Sequence, residues 1–160
     1  MIPGQGIPGI ERIPLHVFSD ERGWFCELRR DSSLPKRMVQ TNLSFSRAGV
    51  LRGLHYHERG QDDLFACLRG TARVVVLDRQ TGETFTEDIG EGNPVAIYIP
   101  GRHAHGFEAL TDVLFCYHVT AEYDPSDPDE HTIPWNDPRV AHLWKTRDPI
   151  LSARDSTVAS

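Results

Sequence analysis

Residues 49–70 read GVLRGLHYHERGQDDLFACLRG, and the reading of this stretch decides the fold. His55 and His57 lie two residues apart, so on a strand they share a face. Arg52 stands three residues before His55; Asp62 and Asp63 follow, and the apolar run Leu64 to Leu68 ends just short of Gly70. A second histidine stretch, IPGRHAHGF over residues 99–107, looks like its partner. The two are expected to meet inside one small β-domain.

Outward from this centre, strand signals recur at short intervals. Residues 39–46 (VQTNLSFS) alternate Val39, Thr41, Leu43 and Phe45 with Gln40, Asn42, Ser44 and Ser46, a period-2 strand with one polar face. Such a face usually meets solvent; beside the histidines it can instead line a cavity. Residues 64–68, 71–78, 84–89, 95–99 and 113–119 read as further strands, separated by Gly and Asp turns. The pattern is that of a sandwich or barrel. Residues 1–12 read as a Gly/Pro-rich arm, followed by an edge strand through Ile13, Leu15 and Val17. A turn at 20–23 leads into another strand. Residues 31–38 read as a helical turn with Ser33 as its cap, and 140–144 as a short helix. The Asp- and Pro-rich residues 122–138 read as a surface loop, and the tail from Ile150 as lacking structure.

At 160 residues the chain is expected to be one domain, with enough length for a real core. Its net charge is −6, and Lys36 and Lys145 are its lysines, which argues against a nucleic-acid partner. A phosphate-bearing small molecule is still open to it, because a few arginines can hold one. The odd number of cysteines, Cys26, Cys67 and Cys116, reads as buried free thiols in a reducing cytoplasm. No apolar run approaches the ~20 residues of a membrane span, and no signal peptide is visible at the N-terminus.

Seven pieces, in order, resemble the cupin family of nucleotide-sugar 3,5-epimerases, typified by dTDP-4-dehydrorhamnose 3,5-epimerase. They are DERGWFCE (20–27), QTNLSFS (40–46), GVLRGLHYH (49–57), IPGRHAHGF (99–107), YHVTAEYDP (117–125), IPWNDP (133–138) and LSARD (151–155). The resemblance implies an all-β cupin, a double-stranded β-helix or jelly-roll barrel, in a cytoplasmic homodimer. The implied activity is epimerisation at C3, C5 or both of a dTDP-4-keto-6-deoxyhexose, with no cofactor. His55 matches the family's catalytic base, Asp155 the carboxylate paired with it, and Tyr117 the proton donor on the sugar's other side. Arg52 and His105 match residues near the sugar and phosphates. Arg22, Glu27, Gln40, Asn42 and Tyr123 match nucleotide contacts, some reaching across the dimer.

The residue types suit that chemistry. Removing a proton next to a ketone needs a base, and imidazole, with a pKa near ~6.5, is suited to it. A carboxylate on its second nitrogen fixes the tautomer and stabilises the imidazolium. A phenol donates within a closed site, and guanidinium forks such as Arg52 and Arg22 suit a pyrophosphate. Taken singly, the bland readings win: strand histidines are mostly structural, Tyr117 would be core and Asp155 a solvated tail residue. The order of the seven pieces reverses them.

The sequence departs from the family at Asp63, where the epimerases hold a lysine that steadies the enolate oxyanion. Two unit charges about 4 Å apart interact by about 4 kcal/mol at an effective dielectric of about 20, so exchanging attraction for repulsion matters. Asp63 must therefore turn away, be protonated, pair with an arginine such as Arg59, yield its place to Asp62, or bind a cation. His57 also departs, standing where the epimerases have glutamine. Together His55, His57, Asp63 and His105 resemble the ligand set of metal-binding cupins and would suit a divalent transition metal. The alternatives are thus a metal-dependent cupin isomerase or oxygenase, and a non-catalytic cupin that binds a sugar nucleotide.

Overall fold

A computed structural model describes the backbone of residues 2–3 and all of residues 6–159; parts of the expected N-terminal arm, residues 1, 4 and 5, lie outside the described residues. The strands in chain order are β1 (Ile2–Pro3), β2 (Glu11–Pro14), β3 (Val17–Asp20), β4 (Gly23–Cys26), β5 (Gln40–Ser46), β6 (Leu51–Tyr56) and β7 (Asp62–Arg69). They continue with β8 (Thr71–Leu77), β9 (Thr84–Gly90), β10 (Val95–Pro100), β11 (Ala104–Ala109), β12 (Val113–Val119) and β13 (His131–Thr132). Among the described residues one α-helix, α1 (Ala153–Ala159), follows them. A six-stranded sheet of order β1-β2-β10-β7-β12-β5 faces a five-stranded sheet of order β13-β6-β11-β8-β9, and β3-β4 stand apart as a hairpin. This is the cupin jelly roll that the turn spacing and the resemblance imply.

Continuous apolar runs form strands here because both faces of the inner strands are covered. Phe65 and Cys67 of β7 point between the sheets with Val74, Val76, Ile97, Phe107 and Phe115; the Phe107 and Phe115 rings stack 3.8 Å apart. Leu64 and Ala66 point the other way, against Met38 and Tyr98. Val75 and Leu77 of β8 meet Leu51, Leu54 and Trp144 beneath the C-terminal segment.

Five expectations need correction. Ile7 and Ile10 are buried in the inter-sheet core, so the start of the chain is more than an arm. The predicted edge strand divides: β2 ends at Pro14, and Val17 opens the hairpin. Asp31–Ser33 forms a 3-10 turn whose cap position is Arg30, with no side-chain cap; Ser33 is its last residue. The tail is ordered. Ile150 accepts from Leu51 N–H and donates to Gly49 O, a parallel bridge to Val50 at the start of β6. Ser152 Oγ then accepts the Asp155 N–H at 3.1 Å and caps α1. Among the cysteines, Cys67 and Cys116 are buried free thiols, whereas Cys26 is only half-buried on the hairpin.

One close approach fixes the centre. A Cβ on Gly106 would lie 2.4 Å from Arg52 O, and one on Gly53 would lie 2.8 Å from Gly106 Cα. The two glycines let β6 and β11 press together at a register shift between His105 and Phe107. That contact sets His55 opposite His105.

Candidate active site

A cavity of about 780 Å³ opens between the sheets. The five-stranded sheet contributes Arg52, His55 and His57 from β6 and His105 from β11. The six-stranded sheet contributes Gln40 and Asn42 from β5, Asp63 from β7 and Tyr117 from β12. The polar face of β5 therefore turns inward, while Leu43 and Phe45 on its other face are exposed. Tyr123 lines the rim, its N–H donating to Gln40 Oε1 at 2.9 Å. Arg52 is tied to the end of β5 through Ser46 Oγ at 2.9 Å. Arg22 and Glu27 are not in this cavity. Arg22 lies on the exposed hairpin turn, paired with Asp20 at 2.6 Å, and Glu27 pairs with Arg30 at 2.7 Å.

His55 sits between carboxylates. Its Nε2 is 2.9 Å from Asp155 Oδ1, and its Nδ1 is 3.5 Å from Glu130 Oε1. Asp155 Oδ2 accepts the Gly53 N–H at 3.1 Å, so both of its oxygens are used and the group is buried. With Nε2–H donating to Asp155, the lone pair of His55 resides on Nδ1. Arg154 reaches the same place, 2.6 Å from Glu130 Oε2 and 3.1 Å from His55 Nε2. The sequence reading missed Glu130 and Arg154. Glu130 lies in the acidic stretch taken for a surface loop, and Arg154 in the tail taken for unstructured.

Burial acts to raise the Asp155 carboxyl, but the hydrogen bond and charge of His55, the Gly53 N–H and Arg154 outweigh it and hold it below the usual range. A carboxyl depressed by folding stabilises above its unfolded pKa of ~3.9 and loses that contribution as pH falls through its folded value. The stability gap between the wild type and Asp155→Asn should therefore be full near pH ~5 and close as the pH drops below ~4, as urea unfolding at stepped pH would show.

Asp63 does not turn away. Its Oδ2 is 3.3 Å from His105 Nε2 and its Oδ1 3.6 Å from His57 Nε2, and Gln61 Nε2 donates to Oδ1 at 3.0 Å. Burial would raise this carboxyl, yet the imidazoles and the amide hold it low. Burial would lower His105, and Asp63 holds it raised instead. Burial, and then His105, push His57 down. Two of the expected alternatives, pairing with Arg59 and replacement by Asp62, drop out. Arg59 pairs with Asp127 at 2.8 Å. Asp62 faces away, accepting from Tyr98 Oη at 2.6 Å and Gly101 N–H at 3.0 Å, with Lys36 at 3.2 Å. The expected metal set of four is also corrected. His57, Asp63 and His105 bring ligand atoms within 4.8 Å of one another, and His55 stands outside this group beside Asp155.

A histidine–carboxylate pair and a phenol on different sheets of one cupin barrel are the equipment of an enzyme that moves protons. The sequence profile of the dTDP-4-dehydrorhamnose 3,5-epimerase family matches residues 5–160. A spore coat polysaccharide biosynthesis protein, SpsL, of Bacillus subtilis is 39% identical over 148 residues, covering 88% of this chain and 97% of its own length. The dTDP-4-dehydrorhamnose 3,5-epimerase of Escherichia coli is 37% identical, with 87% of this chain and 82% of its own covered. The dTDP-6-deoxy-D-glucose-3,5-epimerase RmlC of Legionella pneumophila, solved with dTDP-4-keto-L-rhamnose, superposes with a TM-score of 0.86 at 30% identity, over 96% of this chain and 88% of that one. The chain belongs to the dTDP-4-dehydrorhamnose 3,5-epimerase family. Its activity is accordingly of the isomerase class.

Proposed function

We propose that this protein inverts C3, C5 or both in a dTDP-linked 4-keto-6-deoxyhexose, within deoxysugar biosynthesis. The observation that carries the reading is the placement of His55 on one sheet, backed by Asp155 of α1, and of Tyr117 on the other sheet, lining one cavity. His55 Nδ1 takes the proton beside the ketone; the C–H electrons pass into the C–C bond and the C4 oxygen. Asp155 holds the resulting imidazolium. Tyr117 returns a proton to the carbon from the opposite face, and the carbonyl re-forms. No electron leaves the sugar. Arg52 and His105 line the sugar end, and Gln40, Asn42 and Tyr123 the nucleotide end. A module that only bound the sugar nucleotide would have no use for base, orienting carboxylate and proton donor together.

The protein acts as a homodimer in this reading. Leu43 and Phe45 are 61% and 59% exposed on the outer face of edge strand β5, and Phe18, Trp24 and Phe25 are exposed on the hairpin. Pairing through them would carry Arg22 and Glu27 toward the other copy's cavity, which explains their distance from this one. Free thiols favour a cytoplasmic location. Among the described residues no helix is long and apolar enough to cross a membrane.

The test is proton NMR of dTDP-4-keto-6-deoxyglucose in deuterated buffer. Loss of the C3 or C5 proton signal on adding the protein is expected and identifies the carbon. A spectrum that stays unchanged at stoichiometric enzyme would overturn the reading.

A further inference from the structure

The enolate needs positive charge near C4, and Asp63 brings the opposite sign to the wall where the family resemblance expects a lysine. The hydrogen bonds around it show what the wall is built to hold. His57 Nδ1 is 2.6 Å from Asp129 O, an acceptor, so Nδ1 carries the hydrogen and Nε2 the lone pair. His105 Nδ1 is likewise 2.9 Å from His103 O, which turns its Nε2 toward Asp63. Two imidazole nitrogens and a carboxylate thus converge, all buried, on one edge of the cavity. A cation entering there takes the place of the proton that His105 Nε2 otherwise presents to Asp63 at 3.3 Å.

We infer that His57, Asp63 and His105 bind one divalent first-row transition-metal ion, and that this ion stabilises the enolate oxygen in place of a side chain. The second half rests on the epimerase reading above. Metal–ligand bonds of about 2.0–2.1 Å in a tetrahedron put neighbouring ligand atoms about 3.3–3.4 Å apart. Asp63 Oδ2 to His105 Nε2 and Oδ1 to His57 Nε2, 3.3 and 3.6 Å, are close to that edge, and the three ligand atoms, all within 4.8 Å of one another, must draw in around the ion. The carbonyls of Asp129 and His103 are the outer partners that fix the imidazole tautomers for ligation. Two histidines and one carboxylate leave coordination positions open, and the group lines the same cavity as His55 and Tyr117. The Gln61 amide nitrogen, 3.1 Å from His57 Nε2 and 3.0 Å from Asp63 Oδ1, donates to two of the three ligands. It is the group that must turn aside, or present its oxygen, when the ion enters. The ion works in one redox state, because proton transfer at carbon oxidises nothing.

The experiment uses full-length protein freed of metal with a chelator and titrated with Co²⁺, following visible d–d absorption. One equivalent per chain is expected. The band should be lost in His57→Gln and in Asp63→Asn and unchanged in His142→Ala, which removes an exposed histidine. His57→Gln stands alone if Asp63→Asn fails to fold. Proton exchange into dTDP-4-keto-6-deoxyglucose is then compared with and without the ion, and loading should raise it about 10²–10³-fold. Sub-stoichiometric binding, or a band that survives His57→Gln, overturns the site. Stoichiometric binding with equal exchange in both forms overturns the electrophile role and leaves the epimerase reading standing. A site that fills in the wild type alone, with no exchange in either form, upholds the ion and overturns the epimerase reading instead.

Discussion

His55→Asn should slow exchange of the sugar's α-proton by about 10²–10⁴-fold, the usual span for losing a positioned general base. The asparagine side chain fills much of the same space but has no proton acceptor of comparable basicity. Asp155→Asn should cost a similar factor by another route. Asp155 is buried behind the ring and uses its two oxygens on His55 Nε2 and Gly53 N–H. An amide there must turn either its oxygen or its N–H₂ toward the ring. The second choice forces the His55 proton onto Nδ1, the atom meant to accept, and loss of the correct tautomer costs about 10⁴ in comparable arrangements. Because Asp155 is only 2% exposed and spends both oxygens on His55 and Gly53, its variant should lose kcat with KM little changed. Initial rates of deuterium wash-in over a range of substrate concentrations separate the two. A His55→Asn protein exchanging at the wild-type rate would remove this histidine from the chemistry.

Much of this arrangement is legible in the chain. The inner strands β7 and β8 show as unbroken apolar runs because they are covered on both faces, and β5 shows its period of two. The direction of β5 is not legible. Local hydrophobicity puts Leu43 and Phe45 inside; they lie outside because β5 is an edge strand whose inner face lines a polar cavity. The tail helix is missed for a physical reason. Seven residues are too few to be helical on their own. Its formation depends on Ile150 pairing with Gly49 and Leu51, a contact about a hundred positions away in the chain, although Ser152 three residues before Asp155 is a capping signal in plain view. Asp63 is conspicuous as a departure, but its partners are not. β7 and β11 belong to different sheets, so the meeting of Asp63 with His105 is set by how the sheets face each other. Arg59, the neighbour suggested by sequence, is drawn instead to Asp127.

Tyr117→Phe should leave α-proton exchange within a few-fold of wild type while cutting inversion by about 10²–10⁴-fold. The two outcomes separate because the two proton steps use different sheets. His55 on β6 can remove a proton and return a deuteron to the same face without help from β12, and that cycle gives labelled, uninverted sugar. Inversion requires a donor from the other side. Burial first, then the negative charges of Asp63 and Glu130, push the Tyr117 phenol up, against the smaller pull of Arg52 and Arg154. The phenol is therefore fully protonated through neutral pH and ready to donate. The same environment makes its phenolate costly, which favours rapid reloading from solvent over accumulation of the charged form. Phenylalanine keeps the ring and its edge contact with Phe65, centroids 6.2 Å apart, so the cavity wall is preserved and the hydroxyl alone is removed. Deuterium content by mass spectrometry and configuration by proton couplings, read from one reaction, give the two rates together. Inversion at the wild-type rate in Tyr117→Phe would mean that the second proton comes from elsewhere, with water in the open cavity the first candidate. Exchange and inversion falling together would place Tyr117 on the path of proton removal as well, and would recast the enolate as an intermediate that forms only when donor and base act in concert.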